Sequence, residues 1–318
     1  MGESIGVEGR EDWLANRATA LLNMSPYLSI RTLPLASQQH FGIGAARVFG
    51  QQSGEQRLPM HGIAGEWQLQ HLAWDSAYFG TTTYRLATGL FGTAARPAQL
   101  ANAAADLRRQ LAAEGSFYAF SIVPSEDIQL LQALTAGGWQ LVETRLNFYC
   151  PVAYATLPPP AAVRLARPEE AEYIGRIAAS ARNPFDRFHA DPWFGNDKAD
   201  AFLARYAQAT VEGTYANAVL LPDEPGLPVD AFLAIGDLPA LPAMPGSAAS
   251  RVLLTAVGPA NRGWHYKLVA ETVRRAQALS LPLVLMTTQA TNGAVFRTCE
   301  KLGFRLGNTS HVLACHAT

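Results

Sequence analysis

Between Val252 and Leu268 the chain sets an apolar run, Val252-Leu253-Leu254-Thr255-Ala256-Val257, against a turn at Gly258-Pro259 and Asn261, followed by Arg262-Gly263-Trp264-His265-Tyr266-Lys267-Leu268. A glycine flanked by two cations at such a junction can hold an anion. The apolar run reads as a strand, and the periodic stretch at 266–279 reads as a helix. The first turn of a helix leaves backbone N–H groups without intrahelical partners, and its dipole adds partial positive charge, so main chain alone can hold a pyrophosphate. Gly263 lets the backbone approach closely, while Arg262 and Lys267 supply charge. A glycine and two cations are also common at purely structural strand-helix junctions, so this segment by itself leaves both readings open.

The residues downstream extend the pattern. A second apolar run at 282–287 reads as a strand, then Thr288-Gln289-Ala290-Thr291-Asn292 leads into a helix carrying Val295, Cys299 and Leu302, which ends at Gly303-Phe304. This β-α-β-α order, with an anion loop on the first helix and Asn292 opening the second, resembles the GCN5-related N-acetyltransferase superfamily over residues 162–318. The resemblance implies an α/β (α+β) chain with a mixed central sheet flanked by helices. It also implies acetyl-CoA as co-substrate and transfer of an acetyl group to a small-molecule amine.

In that superfamily the pyrophosphate loop reads Gln/Arg-x-x-Gly-x-Gly/Ala, with a Leu three residues further on. Leu268 sets the register, which puts Gly263 on the first glycine, His265 on the second small residue and Ala260 where Gln or Arg is usual. His265 would either crowd the phosphates or donate a hydrogen bond to them. By resemblance, Arg262, Gly263, Trp264, His265, Lys267 and Leu268 surround the phosphates, main chain at Ala256 and Val257 polarises the thioester carbonyl, and Gln289, Asn292 and Phe296 flank the CoA arm.

A tyrosine usually stands seven residues after the family asparagine, as the acid that protonates the departing thiolate; here that position is Cys299. A thiol near pKa ~8.5 is no weaker an acid than a tyrosine near ~10, but it is shorter and a poor hydrogen-bond donor. Free cysteine is also among the most buried residue types. An acid role and a packing role both stand for Cys299.

Ahead of the CoA half, Arg182-Asn183-Pro184-Phe185-Asp186-Arg187-Phe188-His189-Ala190-Asp191-Pro192-Trp193-Phe194 mixes aromatic and ionisable side chains without amphipathic period, which suits a binding loop. Together with Trp74-Asp75-Ser76-Ala77-Tyr78-Phe79-Gly80, expected as a strand, and the Thr287-Thr288-Gln289 run with Asn292, it resembles the branch typified by dTDP-fucosamine (dTDP-4-amino-4,6-dideoxygalactose) acetyltransferase. That resemblance makes a nucleotide-linked amino sugar the expected acceptor, contacted by Trp74, Asp186 and Arg187, with His189 or Asp191 as base through water. Asp186-Arg187 as a surface pair and His189 as a loop-packing residue are the alternative.

The first half echoes the second. Leu134-Thr135-Ala136-Gly137-Gly138-Trp139-Gln140-Leu141 repeats Cys299-Glu300-Lys301-Leu302-Gly303-Phe304-Arg305-Leu306, with Thr144 and Cys150 in step with Thr309 and Cys315. The reading is an N-terminal extension over 1–65, a partial copy of the acetyltransferase fold over 66–150, a Pro-rich linker over 151–162 and the acetyl-CoA domain over 163–318. No phosphate loop is found in the first copy.

A chain of 318 residues, 49% hydrophobic and 16% charged with a formal net charge of −1, fits a soluble two-domain enzyme and gives no electrostatic footprint for nucleic acid or a membrane surface. The N-terminal residues Glu3, Glu8, Glu11 and Asp12 lack a signal-peptide pattern. Three cysteines without metal spacing and seven scattered histidines predict no metal and a reducing cytoplasm. Monomer and homodimer both stay open. A second class of function, a non-catalytic acyl-CoA-binding or scaffold protein, is consistent with the changes at Cys299 and His265.

Overall fold

The computed structural model describes residues 7–213 and 215–317; Glu3 of the acidic N-terminus lies outside them. In chain order the elements are α1 (Val7–Leu22), α2 (Leu35–Gln38), α3 (Ile43–Val48), β1 (Glu55–Pro59), β2 (Gly65–His71), α4 (Ala73–Phe79), β3 (Thr82–Phe91), α5 (Pro97–Ala113), β4 (Phe117–Pro124), α6 (Ile128–Ala136) and β5 (Gln140–Pro151). They continue as β6 (Val163–Leu165), α7 (Ala171–Ser180), α8 (Arg187–Ala190), α9 (Asn196–Val211), β7 (Ala218–Pro222), β8 (Ala231–Leu238), β9 (Ala249–Val257), α10 (Trp264–Ala278), β10 (Leu283–Gln289), α11 (Gly293–Leu302) and β11 (Arg305–Ala317). Among the described residues no helix is long and apolar enough to cross a membrane.

The chain divides into two compact units, residues 1–144 with 308–318 and residues 145–307. Both cuts fall inside long strands, β5 and β11, so the boundaries differ from those read in the sequence. The N-terminal extension is not a separate piece. Its α1 carries Trp13, Leu14 and Leu21 into a core with Leu90 of β3 and Ala46 of α3. The last residues of the chain complete the first unit's sheet, because Ser310 to Ala317 of β11 pair antiparallel with β4.

In the first unit the strands run β1-β2-β3-β4-β11, and α5 and α6 press Leu100, Leu107, Leu130 and Leu134 onto the sheet. Gly137 follows α6 where a Cβ would stand 2.6 Å from the Ala104 side chain, so a glycine is what lets α6 lie close to α5. The stretch around Trp74 is helix α4. Two alanines and no β-branched residue give it little strand preference, Ser76 Oγ bonds the Leu72 carbonyl, and Gly80 ends it in the left-handed region at φ 65°.

The second unit orders its strands β5-β10-β9-β8-β7-β6 between two helical layers. One core joins α10 and α11 to the sheet through Leu268, Val273, Val295, Cys299 and Leu302; the other joins α7 and α9 through Ile174, Ile177 and Ala207. β8 and β9 are antiparallel neighbours joined by the loop that follows Leu238. The Pro-rich segment is not a free linker. Extended polyproline makes no internal backbone bonds, and here its groups are taken up by the second unit: Ala161 N–H donates to Glu271 (2.8 Å), Thr156 N–H to the Leu302 carbonyl (3.1 Å), and the Pro158 carbonyl accepts from Arg274.

The repeat is carried by structure. A helix of each unit (α6, α11) passes through a positive-φ glycine, Gly138 at 90° or Gly303 at 81°, into one of the two long strands, β5 or β11, that the unit boundaries cut.

Candidate functional site

β9 and β10 are parallel, but only over four pairs, the last being Val252 with Met286. The next residue is an irregularity: against β8, Ile235 faces Val252 while Ala234 faces Leu254, which leaves Leu253 as an extra residue. A bulge bends its strand and increases the twist. From that point residues 254–257 of β9 keep their pairing with β8 and part from β10, which continues to Gln289 along β5. The result is an opening in the middle of the sheet, with Ala256 and Val257 on one lip and Thr288 and Gln289 on the other.

The turn at the end of β9 is built by Asp230 and Asn261. Gly258 N–H donates to the Asp230 carbonyl (2.6 Å), Ala260 N–H to the Asp230 carboxylate (2.9 Å), and the fully buried Asn261 side chain holds the Asp230 N–H (2.7 Å) and the Pro228 carbonyl (3.0 Å). A Cβ on Gly258 would stand 2.2 Å from both Asp230 carboxylate oxygens, so any side chain there must displace that carboxylate. Gly263 then takes φ 92° as the N-cap of α10, with no side chain capping the helix and open space where its Cβ would be. With Arg262 exposed and no acid in the first turn, this end of α10 keeps its donors and its positive field for an anion.

The predicted loop residues divide into two sets. Trp264 and Leu268 point into the core rather than to the opening, because they open the apolar stripe of α10. Lys267 lies over the Trp264 ring at 4.3 Å and pairs with Glu224 at 2.8 Å, both partners 40% exposed. His265 bridges α10 to α11, with Nδ1 3.2 Å from Thr298 Oγ1. Thr298 Oγ1 donates to the Ala294 carbonyl, so it accepts from His265, which assigns the proton to Nδ1. Burial pulls the pKa of His265 down to about 4. Its enclosed Nε2, without a partner among the described residues, is then a neutral acceptor and not a phosphate donor.

Asn292 caps α11 by accepting from Val295 N–H (3.2 Å), and Phe296, 36% exposed, packs edge-on against Phe148 at 5.7 Å. Cys299 is fully buried in the core, where burial pushes its thiol up to about 12. A thiol there is a weaker acid than the CoA thiol it would have to protonate, near ~8.5, so its environment is that of a packing residue.

On the α7–α9 side, the loop before α9 is held by a network that sequence spacing did not reveal. Asp186 caps α8, accepting from Phe188 N–H (2.8 Å) and His189 N–H (3.1 Å). The His189 ring, 2% exposed, spans Asp186 (2.7 Å at Nδ1) and Asp200 of α9 (3.1 Å at Nε2), and Arg182 grips Asp200. Both ring nitrogens are committed, so His189 is not a free base. Asp191 is buried at 2% and accepts from Trp193 N–H at 3.0 Å as a turn-former, and Arg187 lies over Phe188 at 4.4 Å, 9% exposed. Trp74 belongs to the first unit, where it stacks on Tyr78 at 5.3 Å.

Polar side chains meet at the end of β10, among them Gln289, expected beside the CoA arm, and Asn183 of the expected binding loop, with Arg145 and Asn147 as residues the sequence did not single out. Thr287 faces Asn147 and Gln289 faces Arg145 across the β5–β10 ladder, and period-two alternation puts all four on one face. Thr287 Oγ1 donates to Asn147 (2.8 Å), and Asn183 Nδ2 donates to Gln289 (2.7 Å) while its Oδ1 takes Phe185 N–H (3.1 Å). For Arg145 and Asn147 the alternation of polar and apolar residues along 145–148 was the hint.

No protein-family model matches the chain, and no curated protein matches it. Solved structures do match in fold. A GCN5-related N-acetyltransferase from Sphaerobacter thermophilus is 12% identical with a TM-score of 0.54, over 96% of this chain and 93% of its own. The GCN5-related glucosamine N-acetyltransferase region of a fungal multi-domain GH3 β-N-acetylglucosaminidase is 12% identical with a TM-score of 0.50, over 79% of this chain and 31% of its own. A functionally unknown conserved protein from Staphylococcus epidermidis is 9% identical with a TM-score of 0.50, over 82% of this chain and 93% of its own. The chain therefore has the GCN5-related N-acetyltransferase fold, a mixed, mostly antiparallel sheet flanked by helices.

Proposed function

We propose that the chain is an acetyl-CoA-dependent N-acetyltransferase that acts on a small amine, with the β9–β10 opening as its acyl-CoA groove. The observation that carries this reading is the coincidence of the Leu253 bulge, the unpaired edge after Val252 and the uncapped N-terminus of α10 at the end of that edge. An edge of unpaired strand suits the amides of a pantetheine arm, as in strand addition, and an uncapped helix start suits a pyrophosphate. Main chain at Ala256 and Val257 would polarise the thioester carbonyl while a neutral amine attacks its carbon. The C–S bond then breaks, the thiolate leaves and the nitrogen gives its proton to water. With a thiol pKa near ~8.5, releasing a thiolate at pH 7 costs about 2 kcal/mol, which makes a dedicated acid dispensable.

Hydrogen-bonding groups at Asn147, Asn183, Thr287 and Gln289, with Arg145 on the same strand face and Phe185, 53% exposed, two residues after Asn183, suit a polyhydroxylated acceptor. An amino sugar, nucleotide-linked or free, is the proposed acceptor class. Release of free thiol from acetyl-CoA with a panel of amines, led by nucleotide-linked amino sugars, tests this reading. Turnover on an amino sugar that falls about tenfold in kcat/KM in Asn183→Ala supports it; turnover confined to charged polyamines refutes the acceptor class.

The alternative, a non-catalytic acyl-CoA binder, is favoured by the state of the three expected catalytic side chains: Cys299 buried, His189 engaged at both nitrogens and Asp191 in a turn. Binding of acetyl-CoA without turnover on any amine would select it.

A further inference from the structure

The first unit repeats the geometry that makes the groove in the second. β3 and β4 pair in parallel up to Leu86 with Ser121, as β9 and β10 do up to Val252 with Met286, and both pairs then part. The register against the neighbouring strand again slips at the next residue: Leu69 faces Leu86 and Gln68 faces Thr88, leaving Ala87 as the extra residue, the counterpart of Leu253. Gly92 then falls on Gly258. Asp127 caps α6 through Leu130 N–H as Asn292 caps α11 through Val295 N–H.

What differs is what lies at the parted edge. Arg17 of α1, its side chain 2% exposed, donates through Nε to the Gly89 carbonyl of β3 (3.1 Å) and through both terminal nitrogens to Asp127 (2.8 Å at one). Its guanidinium also covers the Phe91 ring at 4.5 Å. Asn16 donates to the Phe91 carbonyl at 2.9 Å, and a Cβ on Gly92 would stand 3.5 Å from the Trp13 ring. Carbonyls of β3 that β4 no longer satisfies are thus satisfied by α1, and the α6 cap is tied to the same side chain. At the other end of the edge, Gln99 accepts from Arg96 N–H (3.1 Å) and Pro97 occupies the first turn of α5, so the donors left free on α10 are reduced here.

We infer that the first unit contains a second acyl-CoA-type groove that the chain's own helix α1 fills, so that each chain takes one acetyl-CoA, in the second unit alone. The inference rests on the reading of the β9–β10 opening as the acyl-CoA groove for what would otherwise occupy the site; the filling itself is independent of any ligand. Arg17 is the pin, because it joins the free edge of β3 to the start of α6.

Hydrogen–deuterium exchange on the full chain tests both parts. Saturating acetyl-CoA slows exchange over 253–268 and leaves 87–97 unchanged, with one equivalent bound by calorimetry. A second equivalent, with slowing over 87–97, overturns the inference. Arg17→Ala, and the milder Asn16→Ala should the first fail to fold, speeds exchange over 7–22 and 87–91 together by about tenfold or more and leaves 249–302 at its original rate. Original rates over 7–22 and 87–91 in a folded variant overturn it. A protein that binds no acetyl-CoA contradicts the proposed function, and the variant arm still decides whether α1 fills the groove.

Discussion

Replacing His189 with alanine should reveal how the loop before α9 is held. The imidazole stands between the carboxylates of Asp186 and Asp200 at 2.7 and 3.1 Å, and its loss leaves two acids without the cation that joins them. Removing one member of a buried ion pair costs about 3–5 kcal/mol. Asp186 and Asp200 are 15% and 17% exposed, and Asp200 keeps Arg182, so the expected cost here is smaller, about 2 kcal/mol. For a unit of this size that corresponds to about 4–8 °C in Tm. The effect should depend on pH with a definite sign. Burial lowers the pKa of His189, but its hydrogen bonds to Asp186 and Asp200 and their charges outweigh burial, so the folded value lies above 6.5. Protonated His189 then stabilises the fold fully below pH 6.5, and the contribution fades as pH rises through the raised value. Thermal unfolding of both proteins from pH 5 to 9 should show the widest Tm gap at the acidic end, narrowing with pH. A gap that is flat or widens with pH refutes the charged clamp.

Three further outcomes are expected. Gly258→Ala meets no backbone penalty at φ −79° but must displace the Asp230 carboxylate and its bond to Ala260, so calorimetry should show acetyl-CoA affinity about tenfold lower in a folded protein. Asn292→Ala removes the α11 cap and should cost about 1 kcal/mol in denaturant unfolding, with Asn292→Asp restoring most of it. Cys299→Ala should lower stability by about 1–2 kcal/mol and leave kcat within about twofold, whereas a hundredfold loss of kcat would restore the acid role.

The strand-turn-helix pairs were legible in the sequence because they rest on local signals. Apolar runs of strand length, Gly258-Pro259 and Gly303, and the periodic stretch at 266–279 each act within a few residues. The repeat was legible for the same reason, since Gly137-Gly138-Trp139 and Leu302-Gly303-Phe304 end equivalent helices. What the spacing could not show was partnership across the fold. His189 looked like a base because Asp186 and Asp200 as its two partners are a tertiary fact, and Trp264 and Leu268 looked like ligand contacts because helix phase at a first turn is fixed only by packing. The Trp74 segment was expected as a strand by resemblance, whereas its alanines and the Ser76 bond to Leu72 favour a helix turn. The role of 1–65 was hidden because Arg17 finds Asp127 only once the sheet has formed.

The central claim is that the opening beyond Val252 and Met286 receives acetyl-CoA against the uncapped start of α10. Calorimetric titration of acetyl-CoA into the full chain, repeated with Gly258→Ala, tests it most directly. Micromolar binding of one equivalent, weakened about tenfold by the substitution, is the predicted result. No detectable binding, or binding that Gly258→Ala leaves untouched, would contradict it.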